Sequence, residues 1–573
     1  MPLDGQRLKF ERLPEIAKPL HYTLFIAPDL NKFSFEGHVD IDVEVVSATD
    51  VLKMHAQRLS ISKVVVKMDD GTSTHQLHPL LQFQCDEDRN MLTVQLPYVI
   101  HPQKIRLSID FLGKLNDKMN GFYLSSYKNE YGEKKFMAAT QFDSTYARTA
   151  FPCWDEPIYK ATFEVRLVVP SAWTALSNMV DSEVFCSEER KMVFFKCSPP
   201  MSTYLLAFVI GELEYLEEKT EGGVTIRVYT LFGKKQQGAF GLELAKRAIE
   251  WYSDWFNIDY PLPKCDLVTI PDCSWCRCFY TRMTESIITA MENWGLVTYR
   301  EVSLLIDSVK SSAIQKVNVA LTVAHEMAHL WFGDLVTMKW WTDLWLKEGF
   351  ASYMSFLFIG YNYPEYNIWL QFLNDELSVG LRLDALRSSH PIEVEINNPN
   401  ELTEIFDSIT YAKSNCVIRM LCYYLGETTF QKGLRLYLKK YQFGNAVTQD
   451  LWDALSEASG KDINALMSSW TTQMGFPLIS VEQRQEGHHR ILNLKQRRFI
   501  ADGGDDDDEP TWQVRRVHFS LYTTQDDRKE SSGSELSIRK LVELNDTVIF
   551  QRCIQSVTNM YCSEEVAQDV EVK

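Results

Sequence analysis

The chain has 573 residues, 45% hydrophobic and 24% charged, with a formal net charge of −18. That length supplies several buried cores, and the acidic surplus disfavours nucleic-acid and anionic-membrane partners. No apolar run reaches a membrane span, residues 1–7 lack the apolar segment of a signal peptide, and the twelve cysteines follow no framework spacing, so a cytoplasmic chain with reduced thiols is expected.

Taken in chain order, residues 1–207 read as β. Residues 21–26, 38–45 and 162–169 alternate or run apolar between turn residues, which predicts an open antiparallel sheet or saddle. Residues 208–476 become mixed and then helical, with amphipathic candidates over 240–255 and 448–458. From 477 to 573 strands return, interrupted by the acidic loop Gly503-Gly504-Asp505-Asp506-Asp507-Asp508, as a β-sandwich-like domain that is partial or divergent. Asn545-Asp546-Thr547 fits a glycosylation sequon, idle without secretion. The expected class is multidomain α+β, and no internal repeat is visible.

Within the helical stretch stands His325-Glu326-Met327-Ala328-His329, followed by Glu348. Residues four apart on a helix share a face, so His325 and His329 can hold one cation from the same side. Imidazole is a good zinc ligand, and a carboxylate on a neighbouring helix supplies the third bond. Three protein ligands leave the fourth position to water, whose pKa zinc lowers to about 7. Glu326, beside the first ligand, is the natural general base. Residues 320–332 are a largely apolar helical run with no Gly or Pro before Gly333, and the segment 340–351 carries the acidic ligand.

Further motifs surround this one. They are Thr289-Ala290-Met291-Glu292-Asn293-Trp294-Gly295-Leu296, Thr140-Gln141-Phe142-Asp143, Ala150-Phe151-Pro152-Cys153-Trp154-Asp155-Glu156-Pro157, Ser389-His390-Pro391-Ile392 and Ile405-Phe406-Asp407-Ser408-Ile409-Thr410-Tyr411-Ala412-Lys413. In their order along the chain they resemble the gluzincin aminopeptidases, over about residues 8–500. Phe10-Glu11-Arg12-Leu13-Pro14 and Leu115-Asn116-Asp117-Lys118-Met119 point to the puromycin-sensitive branch of that family. The resemblance implies an N-terminal β saddle, a thermolysin-like catalytic domain over 208–476, one zinc ion and peptide substrates with a free N-terminal amine. Glu292 would pair the substrate ammonium, helped by Gln141 and Asp143. Ala290 and Met291 would touch the first side chain or backbone, with Asn293 in the same substrate-binding stretch. Tyr411 would donate to the developing oxyanion. The net negative charge would mildly favour approach of peptide amines.

The chain also departs from the family pattern. Thr289 replaces a glycine, Asp143 is a shorter acid than the usual Glu or Gln, and Lys347 stands where the family has Asn beside the zinc-binding Glu. Ser414-Asn415 replaces a small Gly-Ala pair. An insertion, Cys273-Ser274-Trp275-Cys276-Arg277-Cys278-Phe279-Tyr280-Thr281-Arg282-Met283, precedes Thr289. Its three cysteines lack the fourth ligand of a metal site, so it reads as a family-specific loop or an aberrant splice product. Family members continue into a helical capping domain that this sequence does not reach. The alternative function is a catalytically impaired, peptide-binding relative. A leukotriene-type epoxide hydrolase uses a similar site, but its motif beginning Gly-Gly is absent.

Overall fold

A computed structural model describes residues 12–69, 74–77, 81–271, 290–397, 401–486 and 489–503, and the strand segments 516–521, 538–543, 547–551 and 560–561. The cysteine-rich insertion and Thr289, the sequon residues Asn545 and Asp546, and most of the acidic loop lie outside the described residues. The chain divides into two compact units. One comprises residues 1–366, 395–406 and 438–448, and the other residues 367–394, 407–437 and 449–573.

In the first unit, alternation of apolar and polar residues dictates strands with one buried face. Along Ser34–Val45, Phe35, Val39, Ile41, Val43 and Val45 are buried, while the polar residues between them are partly or fully exposed. This strand lies in an eight-stranded sheet, ordered Asp181–Cys186, Arg190–Phe195, Thr162–Pro170, Ala17–Asp29, Ser34–Val45, Gln103–Lys114, Ser60–Asp69, Thr74–Leu77. The expected antiparallel sheet has one exception, since Ala17–Asp29 runs parallel to Thr162–Pro170. A separate four-stranded sheet places Lys134–Gln141 between Phe208–Gly211 and Gly121–Lys128. Its chain leaves at Gln141 and carries Asp143 with it.

A five-stranded sheet follows, ordered Glu214–Lys219, Thr225–Thr230, Lys264–Ile270, Leu296–Arg300, Ala290–Met291. The short last strand pairs antiparallel with Leu296–Arg300, so the sharp reversal between them holds Glu292 and Asn293. Against this sheet pack the helices Ala239–Phe256 and Ala313–His329, the latter also facing Trp345–Asn362. The Ser312 hydroxyl caps Ala313–His329 by accepting from the Gln315 amide at 3.1 Å. Val319, Ala320, Val323, Ala324, Met327 and Ala328 bury its inner face. Buried Tyr252, on Ala239–Phe256, places its hydroxyl 3.0 Å from the Ala324 carbonyl and 3.1 Å from the Met354 carbonyl. It therefore touches both of the facing helices.

The second unit is helical and then β. Asp384 organises it, accepting from Gly475 N at 2.7 Å and the Ser389 hydroxyl at 2.9 Å and pairing with Lys413 Nζ at 2.8 Å. His390 Nε2 lies 2.9 Å from Asp407 Oδ2. Strand Pro477–Glu486 pairs with His489–Arg498, which also pairs with Thr547–Gln551. A second three-stranded sheet centres on Arg516–Leu521. Among the described residues, no helix is long and apolar enough to cross a membrane.

Candidate active site

Helix Ala313–His329 projects His325 and His329 from one face, one turn apart, and Trp345–Asn362 brings Glu348 opposite them. The two Nε2 atoms are 2.9 Å apart, and each lies 3.4 Å from Glu348 Oε2. A tetrahedral zinc with bonds of about 2.0–2.2 Å separates its donors by about 3.3–3.5 Å, so this triangle fits that ion with little adjustment. His329 Nδ1 lies 2.9 Å from the Phe332 carbonyl, to which it donates when the imidazole is neutral, leaving the Nε2 lone pair facing the triangle. Gly333 makes the following turn at φ +132°, a conformation that favours glycine.

Charge gives the same answer as geometry. Asp143, Glu292, Glu326 and Glu348 are all buried, and among the described residues they outnumber the basic groups that meet them, Lys347 and the two histidines. Such a surplus of buried negative charge is what a divalent cation would relieve. Burial alone would lower the His329 pKa, but Glu292 and Glu348 push it up to about 10. Burial drives the Glu326 carboxyl well above the usual carboxylate range, with Glu292 and Glu348 adding to the effect against His329. A bound dication would act in the opposite direction on both groups. Glu326 Oε2 is buried with no hydrogen-bond partner among the described residues. It is thus an acceptor beside the metal triangle that is not itself one of the three donors.

Next to the triangle, the 290–296 stretch is held rigidly. Gly295 has φ +84°, and an added Cβ would come within 2.4 Å of the Asn178 carbonyl, so only glycine fits. Buried Lys264 donates to the Gly295 carbonyl at 2.8 Å and the Ser177 carbonyl at 2.6 Å, while pairing with Asp266 at 2.8 Å. Asn178 donates to the Trp294 carbonyl at 2.9 Å. Asn293, expected to bind substrate, uses its amide nitrogen on this turn, toward Leu296 O at 3.2 Å and Thr298 Oγ1 at 3.3 Å. Its buried Oδ1 has no partner among the described residues. Met291 is buried and Ala290 half-buried.

Asp143, despite its short side chain, reaches the same point as Glu292. One oxygen each from Asp143, Glu292 and Glu348 lie within 4.8 Å of one another. All three surround Lys347 Nζ, at 2.8 Å from Asp143 Oδ2, 2.6 Å from Glu292 Oε1 and 3.2 Å from Glu348 Oε1. The Tyr204 ring centroid is 5.0 Å from the same nitrogen. Burial raises Asp143, which Lys347 partly offsets, leaving its pKa at about 6. Burial would also raise Glu292, but His329 and Lys347 hold it below the usual carboxylate range. Gln141 Nε2 and Asp143 Oδ1 are buried without partners among the described residues. Sequence reasoning marked Lys347 as a departure but gave it no role. The available signal was a long cation directly beside a metal ligand. Tyr411 lies in the second compact unit, on the π-helical turn Ile409–Lys413, whereas the other expected site residues lie in the first.

Comparison with known proteins gives the family. The peptidase M1 N-terminal domain matches residues 18–205, and the peptidase family M1 domain matches residues 240–470. The chain is 60% identical over 509 residues to the puromycin-sensitive aminopeptidase of Caenorhabditis elegans, covering 88% of this chain and 52% of that protein. It is 45% identical over 494 residues to aminopeptidase M1-A of Oryza sativa subsp. japonica, covering 86% and 54% respectively. The alanine/arginine aminopeptidase of Saccharomyces cerevisiae is 41% identical over 505 residues, covering 87% and 56%. The chain therefore spans about half the length of the curated relatives it matches.

Proposed function

The chain belongs to peptidase family M1, and on that premise we propose that it is a zinc-dependent aminopeptidase that removes residues from the N-termini of peptides. One observation carries the reading. His325, His329 and Glu348 bring three donor atoms to within 2.9–3.4 Å of one another, beside a buried carboxylate, Glu326, outside that set. The three would hold one zinc ion, which when bound supplies a Lewis acid that makes water nucleophilic near neutral pH.

The chain's own groups do the rest. Glu326 takes a proton from the attacking water and passes it to the leaving amine. Glu292 and Asp143 pair the α-ammonium of the substrate, and a fixed ammonium site beside the scissile bond makes cleavage exopeptidic. Gln141 assists through its side-chain carbonyl oxygen, the only atom of its amide that can accept from an ammonium, and Ala290, Met291 and Asn293 form the wall beside the first residue. Tyr411 as oxyanion donor rests on the motif around it. The division into 1–207, 208–476 and 477–573, and a cytoplasmic location, belong to the same proposal. The location rests on cysteine spacing in the sequence.

The test is metal analysis of the full chain purified without chelator, together with turnover of a panel of aminoacyl amides and their N-acetyl forms. One zinc per chain and turnover confined to free amines is the expected result. A chain that carries no zinc, or cleaves both forms equally, is not a zinc aminopeptidase.

A further inference from the structure

The turn that carries Tyr411 is tied down at both ends by one short segment. At its start, Asp407 Oδ1 accepts from the Ile409 amide at 2.9 Å and the Thr410 amide at 3.2 Å, and the Asp407 carbonyl accepts from the Tyr411 amide at 3.1 Å. The other carboxylate oxygen, Oδ2, lies 2.9 Å from His390 Nε2. At its end, Lys413 Nζ pairs with Asp384 Oδ2 at 2.8 Å, and Asp384 Oδ1 accepts from the hydroxyl of Ser389, the neighbour of His390, at 2.9 Å. All of these residues belong to the second compact unit.

The His390 ring has an acceptor on each side. Its Nδ1 lies 2.7 Å from the Pro391 carbonyl and its Nε2 2.9 Å from the Asp407 carboxylate. Neither a carbonyl nor an ionised carboxylate can donate, so both bonds exist only when both nitrogens carry protons, and the ring is then an imidazolium. Burial alone would lower the His390 pKa, but Asp407 and the Pro391 carbonyl raise it above its usual value, against Lys413. Asp407 and Lys413 are the charged groups that act on the ring among the described residues, and Lys413 is matched by Asp384. The His390 and Asp407 side chains are 25% and 24% exposed, so the ring can exchange its proton with solvent. A neutral ring has one N–H for two acceptors, and the ion pair with Asp407 is lost in either tautomer.

We infer that protonated His390 is a positioning residue for Tyr411: acting through Asp407, it fixes the turn Ile409–Lys413, and loss of the ring's proton loosens that turn and misplaces the Tyr411 hydroxyl. The inference rests on the aminopeptidase reading for what that hydroxyl does. An oxyanion donor meets a charge that develops only in the transition state, so its misplacement falls on kcat and leaves KM alone. Placement is complete below the raised His390 pKa and declines as pH climbs through it. A merely structural His390 would act on folding without regard to whether Tyr411 carries its hydroxyl, and that difference makes the two roles separable.

The experiment compares the full-length wild type with His390→Leu, His390→Gln, Tyr411→Phe and the double variant His390→Leu/Tyr411→Phe. Leucine removes both donors, and glutamine keeps an N–H for Asp407 with no proton to lose. The readouts are kcat and KM for leucine p-nitroanilide from pH 6 to 9, and amide hydrogen exchange over residues 407–413 at pH 6. His390→Leu should lower kcat about tenfold at pH 6 with KM unchanged, and its turn should exchange faster than that of the wild type. His390→Gln should fall between the two. The ratio of wild-type kcat to that of His390→Gln cancels the groups common to both, and it should shrink as pH rises. In the Tyr411→Phe background, His390→Leu should change kcat by less than about twofold. Unchanged exchange over the turn in His390→Leu overturns the inference. So does an equal loss of kcat with and without the Tyr411 hydroxyl, the mark of a general structural role. Should His390→Leu not fold, the ratio of wild type to His390→Gln decides, and a ratio constant across the pH range overturns the inference. Full turnover by Tyr411→Phe would sink the oxyanion reading, while the exchange measurement would still decide whether His390 holds the turn.

Discussion

Replacing Lys264 by methionine tests how the turn that carries Glu292 is held. Lys264 Nζ donates to the Gly295 and Ser177 carbonyls at 2.8 and 2.6 Å and pairs with Asp266 at 2.8 Å. Lysine and aspartate side chains are each 3% exposed, so the substitution strands a buried carboxylate and two buried carbonyl bonds. Breaking a buried pair by removing one partner costs about 3–5 kcal/mol. Arg227 Nη1 remains 3.7 Å from Asp266, which places the expectation at the lower end, about 3 kcal/mol. At about 2 °C per kcal/mol for a unit of this size, the melting midpoint should fall by roughly 6 °C. The double variant Lys264→Met/Asp266→Asn removes the stranded charge and should recover part of that loss, a coupling that a double-mutant cycle measures. Function should follow, because Gly295 lies three residues after Glu292. KM for free-amine substrates should rise more than kcat falls, with zinc content unchanged. Calorimetric scans and steady-state kinetics on the three proteins are the assay. If Lys264→Met melts within about a degree of wild type, with unchanged KM, this lysine does not anchor the turn.

Two other outcomes follow from the same structure. On the proposed mechanism, Glu326→Gln should still bind zinc and lose about 10²–10⁴-fold in kcat, since the residue would move a proton without being one of the three donors; near-normal turnover would require a different base. His55 is fully buried, both ring nitrogens lack partners among the described residues, and burial with Arg148 and Arg12 nearby holds its pKa well below the usual 6.5. The folded state therefore refuses a proton that the unfolded chain accepts. The stability tied to His55 is full above pH 6.5 and declines by up to about 1.4 kcal/mol per pH unit as pH falls from there toward the folded pKa. His55→Leu should remove this component, so the stability difference between the two proteins, from urea unfolding at pH 7.5 and 5, should move in favour of the variant at the lower pH. A pH-independent difference would mean that His55 is already protonated, or is not buried, in the folded chain.

The meeting of His325, His329 and Glu348 was legible because its main signal is local. An i, i+4 histidine pair on an apolar helix declares a shared face, and the spacing to Glu348 is short enough for the next helix to return. Helices proposed over 240–255 and 448–458 appear as Ala239–Phe256 and Thr448–Ser459, since their periodicity lies in the chain itself. Longer-range facts were not legible in this way. Asp143 meets Lys347 across 204 residues, and nothing in either neighbourhood records that the four-stranded sheet ends beside the metal helices. The same gap left the reach of Asp143, a shorter acid than the family's usual residue, undecided by sequence, although the backbone that carries it comes close enough to bring it beside Glu292. Asn293 was assigned to substrate by its motif, but the hydrogen bonds across its own turn become visible only once that turn is built. The parallel pairing within the large sheet joins strands some 140 residues apart in sequence, beyond what alternation encodes.

The Tyr252 hydroxyl, resting on one carbonyl from each of the helices that carry His325, His329 and Glu348, has a consequence for how that triangle keeps its size. Helices packed only through aliphatic side chains can slide by fractions of an ångström at little cost, and the Glu348 carboxylate would move relative to the imidazoles. A single proton directed at two backbone oxygens is less forgiving, because each rides rigidly on its helix and neither can rotate away as a side chain could. The phenol works as a gauge set behind the three donors. Two contacts from one oxygen limit how far apart the two carbonyls, and so the two helices, can stand, and with them how wide a cation the donors could grip.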